Sequence, residues 1–330
     1  MNIFSNMWKF HIFINILLIF INSISVTASK QLTFCPTAAW EENAITFANQ
    51  SVFGKYPIAM FINTNNAIYV ADGKGSQILI WDENSIMPTK TISGDFSSPN
   101  SMFVTQNGDI YIDDGEQNGR VQRWIASNET FVTIMNVNSP CYGLFVDTNN
   151  NLYCSMNLTH QVVKKSLDDP VMEPVRVAGT GEKGFQPNQL NRPYGIFVDV
   201  NFDLYVTDCG NDRVQLFVLG EANGITVADE TSASQTFPLY CPRAVLLDAQ
   251  KYLFIADAGN DRIVGEGAYG FRCLVGCYGR GSQMNQLNSP YSFTFDRFGN
   301  IFVADTGNSR IQKVLFVESS CGKLRIQYFK

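Results

Sequence analysis

Apolar residues in this chain come in short, nearly unbroken runs, and small polar turns separate one run from the next. Ile68-Tyr69-Val70-Ala71 and Leu253-Phe254-Ile255-Ala256 are typical. Strict alternation would mark strands with one wet face, whereas continuous runs predict strands buried on both faces. The turns between them carry Asn65-Asn66, Asn107-Gly108, Asn149-Asn150-Asn151 and Gly299-Asn300, residues that accept the positive φ of tight hairpins. No helical period of suitable length lies between the runs, so neighbouring sheets rather than helices must cover the two faces.

These hairpins recur along the chain. Each begins at a proline, at Pro57, Pro99, Pro140, Pro193, Pro242 and Pro290, with spacings of roughly 40 to 50 residues, the length of a four-stranded repeat. The stretch Leu204-Tyr205-Val206-Thr207-Asp208-Cys209-Gly210-Asn211-Asp212-Arg213-Val214-Gln215 is echoed by Ile301-Phe302-Val303-Ala304-Asp305-Thr306-Gly307-Asn308-Ser309-Arg310-Ile311-Gln312. Small antiparallel sheets packed radially bury both faces of every strand. The expectation is therefore all-β, a six-bladed β-propeller of four-stranded antiparallel blades. Because the repeats fill nearly the whole chain, one closed ring over residues 29–330 is expected rather than two domains. The sixth unit has no regular fourth strand after its third, at 310–317, while residues 44–54 read as a spare strand. An N-terminal strand at 44–52 is expected to complete the last blade and remove two open edges; residues 324–329 are the alternative filler.

Pro193-Tyr194-Gly195-Ile196-Phe197-Val198-Asp199, followed by Leu204 to Asp208 and by Gly210-Asn211-Asp212-Arg213-Val214-Gln215, resembles the repeat of the NHL family. Units four and six fit closely, two and five moderately, one and three loosely, over about residues 44–317. The resemblance implies six blades and says little about function.

Residues 1–28 read as a secretory signal peptide. Lys9 precedes an apolar stretch at 10–24, and Ser25-Val26-Thr27-Ala28 suits cleavage. The alternative is an uncleaved anchor, but His11, Asn15 and Asn22 interrupt the stretch, which falls short of the roughly 20 residues that span a bilayer. A secreted, extracellular chain with eight cysteines is expected to hold disulfides. Cys209 with Cys241 and Cys35 with Cys321 are the expected pairs, the second pinning the seam of the ring, and Cys141, Cys154, Cys273 and Cys277 stay unassigned. Asn49, Asn128 and Asn157 open glycosylation triplets. With 24 basic against 30 acidic residues and a net charge of −6, nucleic acid and anionic membranes are not expected partners.

Candidate chemistry is sparse. Asp72, Asp114, Asp208, Asp257 and Asp305 end the second strand of their units, and Arg120, Arg213, Arg262 and Arg310 follow. One residue type repeated from blade to blade predicts loop-capping ion pairs rather than catalysis. Unit three has Met156 and Gln161 at these places, and unit one has Gln77 for the arginine. Gly179-Thr180-Gly181-Glu182-Lys183-Gly184 matches a dinucleotide fingerprint in spelling only, since no helix follows it; Gly276 to Gly281 is a second such connection. An amidating lyase that resembles NHL proteins depends on histidine-bound zinc, but past the leader this chain has only His160, expected in an exposed loop. Six-bladed lactonase-like enzymes bind calcium with acidic ligands at the channel mouth. Here the residues after the unit prolines, expected to ring that mouth, are Ile58, Asn100, Cys141 or Tyr142, Tyr194, Arg243 and Tyr291, none acidic. Tyrosine with arginine is the composition of a binding surface, so Asn100, Tyr142, Tyr194, Arg243 and Tyr291 form the candidate ligand site. The expected function is a secreted, monomeric, non-enzymatic scaffold that binds a protein, peptide or glycan without cofactor or metal. The alternative is a propeller hydrolase or lyase with a metal in its channel.

Overall fold

A computed structural model describes residues 30–115, 119–171, 173–229, 238–267, 269–321 and 325–328. The expected leader at 1–28 lies outside the described residues. The chain opens with β1 (Lys30–Thr33), β2 (Ile45–Asn49) and one helical turn, α1 (Gln50–Phe53). Blade one follows as β3–β6 (Pro57–Ile62, Ile68–Asp72, Gln77–Trp81, Lys90–Ser93), and blade two as β7–β10 (Met102–Val104, Ile110–Asp113, Arg120–Ile125, Thr130–Asn136). Blade three is β11–β14 (Cys141–Val146, Asn151–Met156, Gln161–Ser166, Val175–Gly179), and blade four is β15–β18 (Pro193–Val198, Leu204–Asp208, Arg213–Phe217, Ile225–Ala228). Blade five is β19–β22 (Pro242–Leu247, Leu253–Asp257, Arg262–Gly267, Gly270–Val275), and blade six is built from β23–β25 (Phe293–Phe295, Ile301–Asp305, Arg310–Val314) with β2. The molecule is thus a six-bladed propeller of four-stranded antiparallel sheets.

Double-sided burial has a direct cause. Among the described residues six apolar clusters form, one between each pair of neighbouring blades: Ile78, Ile80 and Phe96 of blade one, for example, pack on Met102, Ile110 and Trp124 of blade two. Every residue of β4, β16, β20 and β24 is buried because each of these strands feeds two clusters.

Ring closure uses the N-terminal strand. β2 pairs antiparallel with β25, Ile45 opposite Lys313 and Asn49 opposite Arg310. The strand is shorter than expected. Asn49 stops it by accepting the Ser51 backbone N–H at 3.0 Å, which caps α1, and Gly54 ends that turn at φ 86°. Arg325–Tyr328 (β26) joins no blade but pairs with β1. Cys35 and Cys321 are bonded beside this two-stranded sheet with Cα atoms 5.5 Å apart, and Cys209 is bonded to Cys241 across blades four and five. The remaining pairs are Cys141 with Cys154, which ties β11 to β12, and Cys273 with Cys277. All eight cysteines are paired, which fits an extracellular protein. No helix among the described residues is long and apolar enough to cross a membrane.

The recurring acids bind the connections between blades. Asp208, Asp257 and Asp305, all fully buried, accept the Nε–H of Arg213, Arg262 and Arg310 at 2.8, 2.8 and 2.6 Å on one oxygen. The other oxygen takes the backbone N–H of Asn191, Tyr240 and Asn288, in each case two residues before the opening proline of the same unit. The arginines then reach loop carbonyls, Arg310 those of Ser282, Gln283 and Gln286. Asp114 pairs with Arg120 in blade two. Asp72, with Gln77 across the strand, accepts the Lys74 N–H.

Two expectations need correction here. Asn157 is 2 % exposed and its side-chain nitrogen donates to the Pro193 carbonyl, so in the folded chain it offers no nitrogen for glycan attachment. Asn49 and Asn128 are exposed. His160 is half-buried rather than a free loop residue, and its Nδ1 accepts the Arg192 N–H at 3.0 Å.

Candidate functional site

The first strands of the blades stand side by side around the axis and enclose a channel with a cavity volume of about 450 Å³. Register fixes what faces it. Phe61, Phe103, Phe145, Phe197, Leu246 and Thr294 sit opposite Tyr69, Tyr111, Tyr153, Tyr205, Phe254 and Phe302 of their second strands. They therefore share one level. Consecutive phenylalanines meet with ring centroids 5.2, 5.3 and 5.2 Å apart, and all six residues line the channel. Sequence reasoning passed over this girdle. The signal was present as an apolar residue four places after the proline in most units, but it looks the same as a core position.

The expected ligand residues do converge. Tyr142 meets Tyr194 edge-on at 4.8 Å, and Tyr194 meets Tyr291 at 5.9 Å. Arg243 lies 5.4 and 5.3 Å from the ring centroids of Tyr194 and Tyr291, a cation–π arrangement. The Asn100 backbone and side-chain nitrogens both donate to Asp113 at 3.2 Å. Asp113, 1 % exposed, also accepts from Gly115 and Cys141, and burial pushes its carboxyl up to about 6. Burial, ahead of the neighbouring tyrosines, likewise raises the Tyr291 phenol well above its ordinary value.

These residues, expected to ring the channel mouth, pack against one another at one end of the channel, with Asn100, Tyr142, Arg243 and Tyr291 half-buried. Tyr194 is buried and the Tyr291 hydroxyl is out of contact with solvent. The open rim lies at the opposite end, where the first strands turn back and Thr64, Gln106, Thr148 and Val200 are exposed. Beside that rim β1 runs close, with Leu32 accepting the Ala249 N–H and Phe34 donating to Asp248 at 3.1 Å. Asp147, Asp199, Asp248 and Asp296 also line this end, but each spends Oδ1 on the backbone N–H groups two and four residues ahead. This acidic ring builds turns. Among the described residues no three His, Cys, Asp or Glu side chains group closely enough to hold a metal. Gly179 to Gly184 is the connection from β14 to β15, with no helix behind it.

Fold and channel together define the class, a six-bladed β-propeller with an apolar axial cavity. No protein-family model matches the chain, and no curated protein does. Among solved structures, a protein of unknown function from Bacteroides thetaiotaomicron superposes with TM-score 0.66 at 13 % identity, over 88 % of this chain and 76 % of its own. An auxiliary nutrient binding protein from the same organism gives 0.62 at 13 % identity, covering 88 % and 76 %. Virginiamycin B lyase from Staphylococcus aureus gives 0.59 at 11 % identity, covering 83 % and 98 %. At such identities the likeness is one of fold.

Proposed function

We propose that this chain is a secreted, monomeric, non-enzymatic propeller of NHL type that binds partners, with the axial channel as its ligand site. The observation that supports this most is the preformed girdle of Phe61, Phe103, Phe145 and Phe197 above a floor of tyrosines and Arg243. A mostly apolar cavity with a few placed polar groups is the usual form of a ligand site. The partner is a protein or peptide that inserts an apolar group from the open rim, or a glycan that stacks on the girdle. A neighbour described as nutrient-binding is in keeping with this reading.

The test is selection of a displayed peptide library on the folded chain and on Thr294→Trp, which fills the channel at the girdle. Recovered peptides are expected to be rich in apolar side chains and to lose binding to the variant. Equal binding to both forms would place the site outside the channel. One equivalent of zinc or calcium retained through dialysis against a weak chelator would favour the metal-dependent hydrolase or lyase instead.

A further inference from the structure

We propose that the channel receives a small, neutral, mostly apolar molecule with one hydroxyl or carbonyl group, which the Thr294 hydroxyl holds at the level of the girdle; this rests on the channel being the ligand site. Five of the girdle positions are phenylalanine or leucine, and the sixth is Thr294 on β23. Register turns it toward the channel: Thr294 pairs with Phe302 as Phe61 pairs with Tyr69, while the preceding Phe293 is buried between blades five and six. Thr294 is half-buried. Its Oγ makes no hydrogen bond among the described residues, yet it is not one of the polar atoms that burial seals without a partner, as the Tyr291 hydroxyl and Arg243 Nε are. An unspent hydroxyl that keeps surface on a cavity is open to a ligand. Other hydroxyls along the wall are spent: Ser101 donates to the Cys141 carbonyl at 2.6 Å, Ser292 to that of Ile58 at 2.7 Å and Thr105 to that of Asp109 at 3.1 Å.

Size and charge narrow the ligand. Threonine is shorter than phenylalanine, so a niche opens at Thr294 between Phe61 of blade one and Leu246 of blade five, with the hydroxyl on its wall. Phe34 of the N-terminal segment also lines the cavity and packs against Phe295, the residue after Thr294, with ring centroids 4.9 Å apart. A cavity of about 450 Å³ lies toward the small end of the range for sites that enclose a drug-sized ligand. No charged side chain stands at the girdle level among the described residues. The four rim aspartates are engaged through both oxygens, the second by Tyr153, Lys251, the Phe34 N–H and Asn300 in turn. A charged group placed among the phenylalanines would lose its water without gaining a partner, which is costly. A neutral hydroxyl or carbonyl exchanges water for Thr294 with a modest net gain.

Fluorescence titration of the folded chain with 2-naphthol, naphthalene and 2-naphthoate tests this, because the three share one ring system and differ in the group it carries. 2-Naphthol is expected to bind one to one and more tightly than 2-naphthoate. Thr294→Val keeps the branched shape and removes the hydroxyl; it should weaken 2-naphthol by roughly threefold to tenfold, the worth of one neutral hydrogen bond, and leave naphthalene as tightly bound as before. Thr294→Ser should retain most of the wild-type affinity for 2-naphthol, and Thr294→Trp should abolish binding of all three. Unchanged 2-naphthol affinity in Thr294→Val, or a loss shared equally by naphthalene, would overturn the Thr294 contact and leave the channel reading standing. Tighter binding of 2-naphthoate would overturn the neutral ligand. If none of the three binds while selected peptides still lose binding to Thr294→Trp, the small ligand is overturned and the channel reading stands. Binding of the probes that survives Thr294→Trp would overturn both. Melting curves confirm that each variant is folded, and the comparison of 2-naphthol with 2-naphthoate needs the wild-type chain alone.

Discussion

In blades three, four and five one left-handed residue after the second strand accepts a backbone N–H from the connection into the next blade. Asp212 and Asp261 sit at φ 54° and 55° and accept the N–H of Cys241 and Ser289 at 2.7 and 2.6 Å. His160, at φ 51°, does the same for Arg192 through a neutral imidazole. Burial first, then Lys183, lowers its pKa below the usual 6.5. The unfolded chain therefore takes the proton first as pH falls, so the His160 contribution is complete above 6.5 and is lost as pH drops through the lower folded value. Asp113 has the opposite sign. With its folded pKa at about 6 against an ordinary 3.8, the folded chain binds the proton first, so this contribution is complete below 3.8 and is lost as pH rises through about 6. Melting temperatures across pH 4 to 8 are expected to show wild type losing ground to His160→Asn in acid and gaining on Asp113→Asn. Parallel curves for either pair would refute the corresponding assignment.

At the scale of elements the seam is the point of interest, because it is the one place where a blade is assembled from both ends of the chain. β2 covers β25, and without it Arg310–Val314 would become an open edge. Removing residues up to Gly54 is expected to yield a chain that aggregates and lacks a single cooperative melt; a monomer that melts at the wild-type temperature would contradict the pairing. The Cys35–Cys321 bond spans 286 residues. In the chain-entropy picture so long a loop stabilises by on the order of 4 kcal/mol or more. Replacing both cysteines by serine should lower the denaturation midpoint by a corresponding amount, while the same change at Cys273 and Cys277, only 4 residues apart, should cost much less.

For the whole molecule, the ring decides which surfaces a modifying enzyme can reach. Asn49 and Asn128 are exposed, whereas Asn157 is sealed between blades three and four. Chain secreted by eukaryotic cells is expected to carry glycans on Asn49 and Asn128 and none on Asn157, read by peptide mapping after enzymatic deglycosylation. A modified Asn157 in folded, monomeric material would show that the third blade opens more readily than its buried hydrogen bonds suggest.

The sequence alone determined the number of blades, because the proline, turn and apolar run repeat locally and each copy carries its own signal. It determined the Asp and Arg pairs for the same reason, since Asp208 and Arg213 lie on paired strands a few residues apart. It also located the tyrosines and Arg243 at one end of the channel, by their shared place after the unit prolines. How tightly these residues pack was not legible. That depends on Tyr142, Tyr194, Tyr291 and Arg243 meeting from four blades, which no single repeat encodes. The girdle escaped notice because Phe61, Phe103, Phe145 and Phe197 follow the same local pattern as core residues; only closure of the ring turns these side chains toward one another around a cavity. Likewise Asn157 reads as a glycan acceptor in its triplet and becomes a buried donor only when Pro193 of the next blade is placed against it. Local repetition writes the blade into the sequence, and contacts between blades, made by residues far apart in the chain, decide what the channel is.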